Sequence, residues 1–142
     1  MPAAPTHVEV VGVNAGKSDE VRTTDSTTGG QKGSKLACFN QIMPETMMEL
    51  ATHFGVGAKK YSAFNWTRGY AWSLSYSALQ RHLNQFWGGE DRDKETGSKH
   101  IIAAMWHCFV LAYFMDHNTI KDDRPIRANL EAIWAAEAKE VK

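Results

Sequence analysis

The sequence has few cysteines, no excess of either charge and no hydrophobic run long enough to cross a bilayer. Its two cysteines, Cys38 and Cys108, are too few for a disulfide framework. Sixteen Lys plus Arg balance sixteen Asp plus Glu, so no global field favours stable nucleic-acid or membrane binding. The longest apolar run, 101–115, is shorter than the ~20 residues of a membrane span. With no recognisable signal peptide, we expect a cytoplasmic protein.

The residues that are present favour one helical domain preceded by a polar arm. The 142 residues are 43% apolar, which is ordinary for a globular chain with its own core. Residues 1–35 contain no aromatic side chain and are rich in Gly, Ser, Thr, Asp and Lys. We predict a flexible or partly extended, largely irregular arm over 1–35, in which 7–13 could form a strand. The helical domain is predicted over 36–142.

Apolar spacing predicts helices at 43–54, 73–87, 98–117 and 127–140, and no period-two alternation follows residue 40. In the first helix the apolar positions are Met43, Met47, Leu50, Ala51 and Phe54, and Gly55 and Gly57 are expected to end it. In the second helix they are Leu79, Leu83 and Phe86. The third helix is apolar nearly all round and should be central. The predicted fold class is all-α, a four-to-five-helix bundle.

Carboxylates form the first candidate site. Glu45 and Glu49 are four residues apart on one helical face, while Glu90 and Asp93 lie in an acidic loop, 90–95. Converging carboxylates repel one another, and a hard cation relieves that repulsion. These four residues are therefore candidate ligands for Mg²⁺ (or Mn²⁺), and the alternative is a set of solvated acidic surfaces.

Three histidines extend this site. His82 on the second helix and His100 on the third should approach the acidic loop, because the short connection makes the two helices antiparallel. We take Glu90, His82 and His100 as candidate catalytic residues. His107 is better explained as a hydrogen-bonded core histidine. Zinc is less expected than Mg²⁺ because no Cys-x-x-Cys spacing is present.

A basic, aromatic segment over 55–69 forms the third candidate. Lysines neutralise phosphate oxygens, aromatic faces stack on purines, and an amide can bind a base edge or a sugar hydroxyl. The alternative is a surface turn whose aromatic side chains plug the end of the bundle. The candidate substrate-binding residues are Lys59, Lys60, Tyr61, Asn65, Trp66 and Arg81. Together the three groups predict metal-assisted attack of water on a nucleotide.

Two other phosphate-binding motifs are rejected. The segment 12–18 has three residues between its glycines, one fewer than a P-loop needs, and a polar stretch follows it. Asp116-His117 reverses the His-Asp order required by an HD-type phosphohydrolase.

Several separated motifs resemble those of phage-encoded dATP/dGTP diphosphohydrolases, which belong with the MazG-like, all-α NTP pyrophosphohydrolases. The matching residues are Gly30 to Lys35, Phe39, Pro44-Glu45, Gly57 to Tyr61, Asn65-Trp66, Arg81-His82, Gly89 to Gly97 and His100. The resemblance covers about residues 30–117. The superfamily pattern of Glu-x-x-Glu followed by Glu-x-x-Asp is met by Glu90 and Asp93, whereas Glu45 and Glu49 are four residues apart rather than three.

This resemblance implies hydrolysis of a purine deoxynucleoside triphosphate, dGTP or dATP, to the monophosphate and pyrophosphate. It further implies Mg²⁺ or Mn²⁺ as cofactor, a homodimer or homotetramer, and a role in phage nucleotide metabolism in the host cytoplasm. The competing hypothesis is a non-catalytic helical module that binds nucleotides or regulates another protein.

Overall fold

An exposed β-hairpin begins the part of the chain that the computed structural model describes, residues 20–141. Strands β1 (Val21–Thr24) and β2 (Gln31–Ser34) pair antiparallel. In the turn, Asp25 Oδ1 accepts hydrogen bonds from the backbone N–H groups of Thr27 and Thr28, at 2.9 and 2.8 Å. The hairpin fits a partly extended arm, but residues 21–34 are regular where irregular chain was expected. The strand considered at 7–13 lies outside the described residues.

Contacts divide the chain after Ile42, and the second unit, described from 43 to 141, is helical. Helix α1 spans Pro44–Lys60, so the expectation that Gly55 and Gly57 end it was wrong. Glycine lowers helix stability by about 1 kcal/mol without stopping a helix. The lysines in the last turn favour this extension, because cations stabilise a helix C-terminus.

Helix α1 turns a different face inward than the spacing of its methionines indicated. Leu50 is buried and Phe54 half-buried, as expected, but Met43 and Met47 are exposed. Half-buried His53 takes part in the inward face instead. The amphipathic pattern thus located the helix correctly but assigned some exposed residues to its buried face.

Helix α3 (His100–His117) is the central helix, as predicted, and packs against both α1 and α2 (Trp72–Trp87). Trp72, Val110 and Phe114 form the buried hydrophobic cluster near its C-terminal half. The indole N–H of Trp72 donates to the Asn118 carbonyl oxygen at 2.9 Å, which joins the start of α2 to the end of α3.

The buried face of α2 is largely polar. The buried residues of α2 are Trp72, Ser75 and His82. Leu83 and Phe86, predicted as core residues, are exposed. Because Ser75 and His82 both hydrogen-bond to residues of α3, burying them satisfies their polar atoms. The predicted apolar stripe of α2 was therefore wrong at Leu83 and Phe86.

Helix α4 (Arg127–Glu140) follows a short 3₁₀ turn at Thr119–Lys121 and contains no buried residue. The all-α fold class is confirmed, with four helices and the small hairpin among residues 20–141. None of the helices in this range is both long and apolar enough to cross a membrane.

Candidate active site

A cavity of about 860 Å³ opens between α1, α2 and α3 and the loops that follow α1 and α2. Because all of its walls belong to residues 53–107, it lies within the helical unit. Seven of the predicted catalytic, substrate-binding and metal residues line this one cavity: Lys60, Tyr61, Asn65, Trp66, Arg81, His82 and Asp93.

Charged groups of both signs line part of the cavity. Lys60 Nζ donates to Glu95 Oε1 at 2.6 Å, and this hydrogen bond raises the pKa of Lys60. Burial alone would raise the pKa of Asp93, but hydrogen bonds from the Thr96 hydroxyl and nearby backbone N–H groups lower it overall. Asp93 is therefore ionised at neutral pH. The cavity lining thus contains two cations, Lys60 and Arg81, and two carboxylates, those of Asp93 and Glu95.

Aromatic rings line another part of the cavity wall. The ring of Phe54 lies 5.9 Å from that of Trp66 and 5.8 Å from that of Trp106, centroid to centroid. Tyr61 and Phe64 also line the cavity and are largely exposed. Phe64 has φ +59°, a left-handed conformation that is unfavourable for a bulky residue and is characteristic of functional sites.

Three histidines line the cavity, and each is anchored through Nδ1. His53 Nδ1 lies 2.7 Å from Ser98 Oγ, His82 Nδ1 lies 2.9 Å from His100 Nδ1, and His107 Nδ1 lies 3.1 Å from Ser75 Oγ. These bonds leave Nε2 as the unanchored nitrogen of each ring.

Burial lowers the pKa of all three imidazoles. Desolvation is the largest cause for His53, His82 and His107, and it brings the pKa of His107 to about 4. The three rings are therefore neutral at pH 7 and can accept protons or hydrogen bonds at the cavity surface.

Glu90 and His100 lie behind the cavity wall, in contact with it through His82. His100 is fully buried, and its Nε2 lies 3.0 Å from Glu90 Oε1. The three residues named as catalytic candidates thus form one hydrogen-bonded chain, although only His82 lines the cavity.

The four predicted metal ligands are not gathered at one point. Glu49 is paired with Lys99 Nζ at 2.8 Å and lines a separate depression, while Glu45 is exposed in the first turn of α1. Among residues 20–141, no three His, Cys, Asp or Glu side chains are arranged to hold a metal ion. Lys59, a substrate candidate, is exposed on α1 and does not line the cavity.

The model of a protein family described as dATP/dGTP diphosphohydrolase, N-terminal, matches residues 26–124. The chain belongs to this dATP/dGTP diphosphohydrolase family. The resemblance drawn from the motifs is therefore confirmed, and the matched range contains every residue that lines the cavity. Neither the curated proteins nor the solved structures gave a match.

Sequence reasoning missed several residues that build the cavity of this dATP/dGTP diphosphohydrolase family member. His53 and Trp106 line it, and Ser75 joins Tyr70 and His107 at 2.7 and 3.1 Å. A sequence signal existed for Ser75, because it precedes His82 by two helical turns and therefore shares its face. His53 follows Leu50 by three residues and shares the inward face of α1 in the same way.

Proposed function

We propose that this chain hydrolyses a purine deoxynucleoside triphosphate, dGTP or dATP, to the monophosphate and pyrophosphate in the cavity described above. The family description supports the activity, and the content of the cavity supports its location. One space of about 860 Å³, typical of small-molecule sites, combines cations, aromatic rings, carboxylates and neutral imidazoles. The resemblance to phage-encoded enzymes supports phage nucleotide metabolism in the host cytoplasm as the setting.

The two ends of the substrate have distinct partners in this proposal. Lys60 and Arg81 are the cations that neutralise phosphate oxygens. Tyr61, Phe64 and Trp66 offer aromatic faces for the purine, since base stacking on such rings contributes about 1–3 kcal/mol per base. Asn65 is the amide partner for a base edge or a sugar hydroxyl.

The carboxylates of the cavity suit a cation that arrives with the nucleotide. Mg²⁺ is commonly held by one or two carboxylates together with substrate phosphates, and Asp93 and Glu95 are the carboxylates that line the cavity. When bound, Mg²⁺ or Mn²⁺ would neutralise charge on the phosphates. Glu45, Glu49 and Glu90 do not line the cavity, so we assign this ion to Asp93 and Glu95.

A product assay tests the proposal. The protein is incubated with dGTP or dATP and Mg²⁺, and pyrophosphate, orthophosphate and triphosphate are quantified separately. Pyrophosphate in equal amount to the monophosphate is the expected result. Nucleotide binding without product, with either Mg²⁺ or Mn²⁺, would instead support the non-catalytic binding module.

We further propose that the protein is a homodimer or homotetramer. One face of α3 is apolar and exposed along its length. Exposing so much apolar surface to water is energetically unfavourable. A second copy that packs on this face would bury it. The exposed residues on this α3 face are Ile101, Met105, Cys108, Phe109, Ala112 and Met115.

A further inference from the structure

Two hydrogen bonds connect a carboxylate to the cavity through two buried imidazoles. Glu90 Oε1 lies 3.0 Å from His100 Nε2, and His100 Nδ1 lies 2.9 Å from His82 Nδ1. His100 is 0% exposed and His82 is 7% exposed, so the bond between the two rings is shielded from water, whereas Glu90 is half-buried. We call this chain of three residues the Glu90 relay.

Donor and acceptor chemistry assigns the protons of the Glu90 relay. A carboxylate only accepts, so His100 Nε2 carries the hydrogen that faces Glu90. We assign this one hydrogen to His100, so that its Nδ1 accepts and the hydrogen between the two rings belongs to His82 Nδ1. A neutral imidazole carries one hydrogen, so His82 Nε2 is left with a free lone pair.

His82 Nε2 is open to the cavity. Within the described part of the chain it has no hydrogen-bond partner, and His82 lines the cavity. Among residues 20–141, the buried side-chain nitrogen or oxygen atom that lacks a partner is Trp106 Nε1. His82 Nε2 is therefore accessible, and a water molecule or substrate atom can reach its lone pair.

The other two cavity histidines lack this constraint. His53 and His107 are anchored to the hydroxyls of Ser98 and Ser75, and a hydroxyl either donates or accepts. Their tautomers are therefore not fixed by a carboxylate. Of the three imidazoles, only His82 has an Nε2 whose role as proton acceptor is dictated by its neighbours.

We propose that His82 is the general base of the hydrolysis and that His100 and Glu90 are positioning residues that hold it in the accepting tautomer. This inference rests on the proposed function. An O–H bond of water breaks, its proton joins His82 Nε2, and the water oxygen bonds to the α-phosphorus. The bond from the α-phosphorus to the bridging oxygen breaks, and pyrophosphate leaves with that electron pair. The proton then passes to solvent.

The relay also stabilises the charge that this step creates. His82 as an imidazolium still donates from Nδ1 to His100, and Glu90 places a negative charge at the far end of the same chain. A general base held in this way contributes about 100-fold to 10,000-fold to a rate. Geometry of this kind resembles the orientation of a catalytic histidine by a carboxylate in other hydrolases.

Nitrogen NMR of the ¹⁵N-labelled protein tests the tautomer directly and needs no activity. The expected signature of His82 is a protonated Nδ1 and an unprotonated Nε2, with His100 protonated at Nε2 alone. Signals are assigned with His82→Gln, and Glu90→Ala should abolish the preference. A protonated His82 Nε2 in the wild-type protein would overturn the inference, whether or not the protein hydrolyses nucleotides.

Steady-state kinetics tests the catalytic role. His82→Gln should lower kcat about 100-fold or more and leave KM within about twofold, because the base acts in the chemical step. His117→Gln, an exposed histidine near the end of α3, is the matched control and should leave both constants unchanged. An unchanged kcat in a folded His82→Gln variant would remove His82 as the base while leaving the proposed function intact.

Two variants of Glu90 separate a positioning residue from a metal ligand. Glu90→Gln keeps an oxygen that accepts from His100 Nε2, so part of kcat and the His82 tautomer should survive. Glu90→Ala removes the acceptor and should lower kcat further. Complete loss in Glu90→Gln that excess Mg²⁺ restores would identify Glu90 as a metal ligand and overturn its role in the relay. Wild-type protein that releases no pyrophosphate would remove both the proposed function and the general base.

Discussion

Lys60 Nζ lies 2.6 Å from Glu95 Oε1, which ties the last turn of α1 to the loop between α2 and α3. Both side chains line the cavity, although they are 35 residues apart. An exposed pair of this kind contributes little to stability, because solvent screens its charges. Its position at the cavity would allow Lys60 to leave the Glu95 carboxylate and bind a phosphate group of the substrate.

Lys60→Ala should therefore raise KM for the nucleotide several-fold and change kcat little. In the proposed function Lys60 contacts phosphate in the ground state and in the transition state alike, so its loss should weaken the binding of both. Lys59→Ala is the informative comparison, because Lys59 is adjacent in sequence but does not line the cavity and should have the smaller effect. Equal effects of the two variants would contradict the assignment of Lys60 to the cavity.

His107 should make the protein less stable in acid. Its pKa is lowered from 6.5 to about 4, chiefly by burial. Above the higher value neither the folded nor the unfolded state is protonated at His107. Between the two values only the unfolded state takes up the proton, so the free energy of unfolding falls as pH falls. This loss is complete once the pH has fallen below about 4, and it amounts to about 3 kcal/mol.

The His107→Asn variant isolates this effect. Asparagine keeps a polar group near Ser75 but does not titrate, so its free energy of unfolding should depend less steeply on pH than that of wild type. Urea unfolding measured between about pH 7 and pH 4.5 provides the comparison. His117→Asn, at an exposed position, should keep the wild-type slope. Parallel slopes for His107→Asn and wild type would contradict the prediction.

Asp123 should stabilise the N-terminus of α2. Its carboxylate accepts from the Ser73 backbone N–H at 2.9 Å and from the Ser73 hydroxyl, and these bonds lower the pKa of Asp123. Asp123→Ala should lower the free energy of unfolding by about 1 kcal/mol, as the loss of a helix cap does. Asp116→Ala at an exposed position is the control for urea unfolding, and equal stability of the two variants would argue against a cap.

Gly69 should tolerate substitution less well than Gly97. Both have positive φ, +85° and +74°, so alanine at either position strains the backbone. At Gly69 a Cβ would also overlap the buried side chain of Asn118, whereas at Gly97 it meets open space. Thermal unfolding should show a cost of about 1 kcal/mol for Gly97→Ala and about 3 kcal/mol for Gly69→Ala. Equal costs would mean that Asn118 moves aside.

Met105→Glu should dissociate the proposed oligomer. Met105 lies in the middle of the exposed α3 face, where a buried carboxylate would be unpaired in an interface. Sedimentation velocity should give a dimer or tetramer for wild type and a smaller species for the variant. Ser77→Glu, exposed on α2, adds the same charge elsewhere and should leave the assembly unchanged. A monomeric wild-type protein would refute the proposed assembly.

Local sequence signals predicted the helices well where a single strong cue was present. The apolar run 101–115, interrupted only by His107, located α3, and Gly88-Gly89 marked the end of α2. The hairpin was missed because neither of its strands buries a face, and their sequences therefore show no alternation of apolar and polar residues. The two glycines of α1 predicted the wrong helix end, because glycine disfavours a helix without forbidding it.

The residues of the candidate site were likewise predictable only in part. Lys60, Tyr61, Asn65 and Trp66 were found because they are close in sequence and share a recognisable chemistry. The proximity of His82 and His100 was predicted from the antiparallel arrangement of α2 and α3, but the hydrogen bond between them was not. Ser75, by contrast, is one of three alternating serines, and only the packing of α2 against α3 decides that it is buried while Ser73 and Ser77 are exposed.

The tryptophans around the cavity have a practical consequence. Trp66 and Trp106 line it, so a purine stacked nearby would change their emission, and ligand binding could be followed by intrinsic fluorescence without a label. Trp87 is 88% exposed and does not line the cavity, so its red-shifted emission would serve as an internal reference. Substituting it by phenylalanine would leave an optical signal dominated by the indoles nearer the binding event.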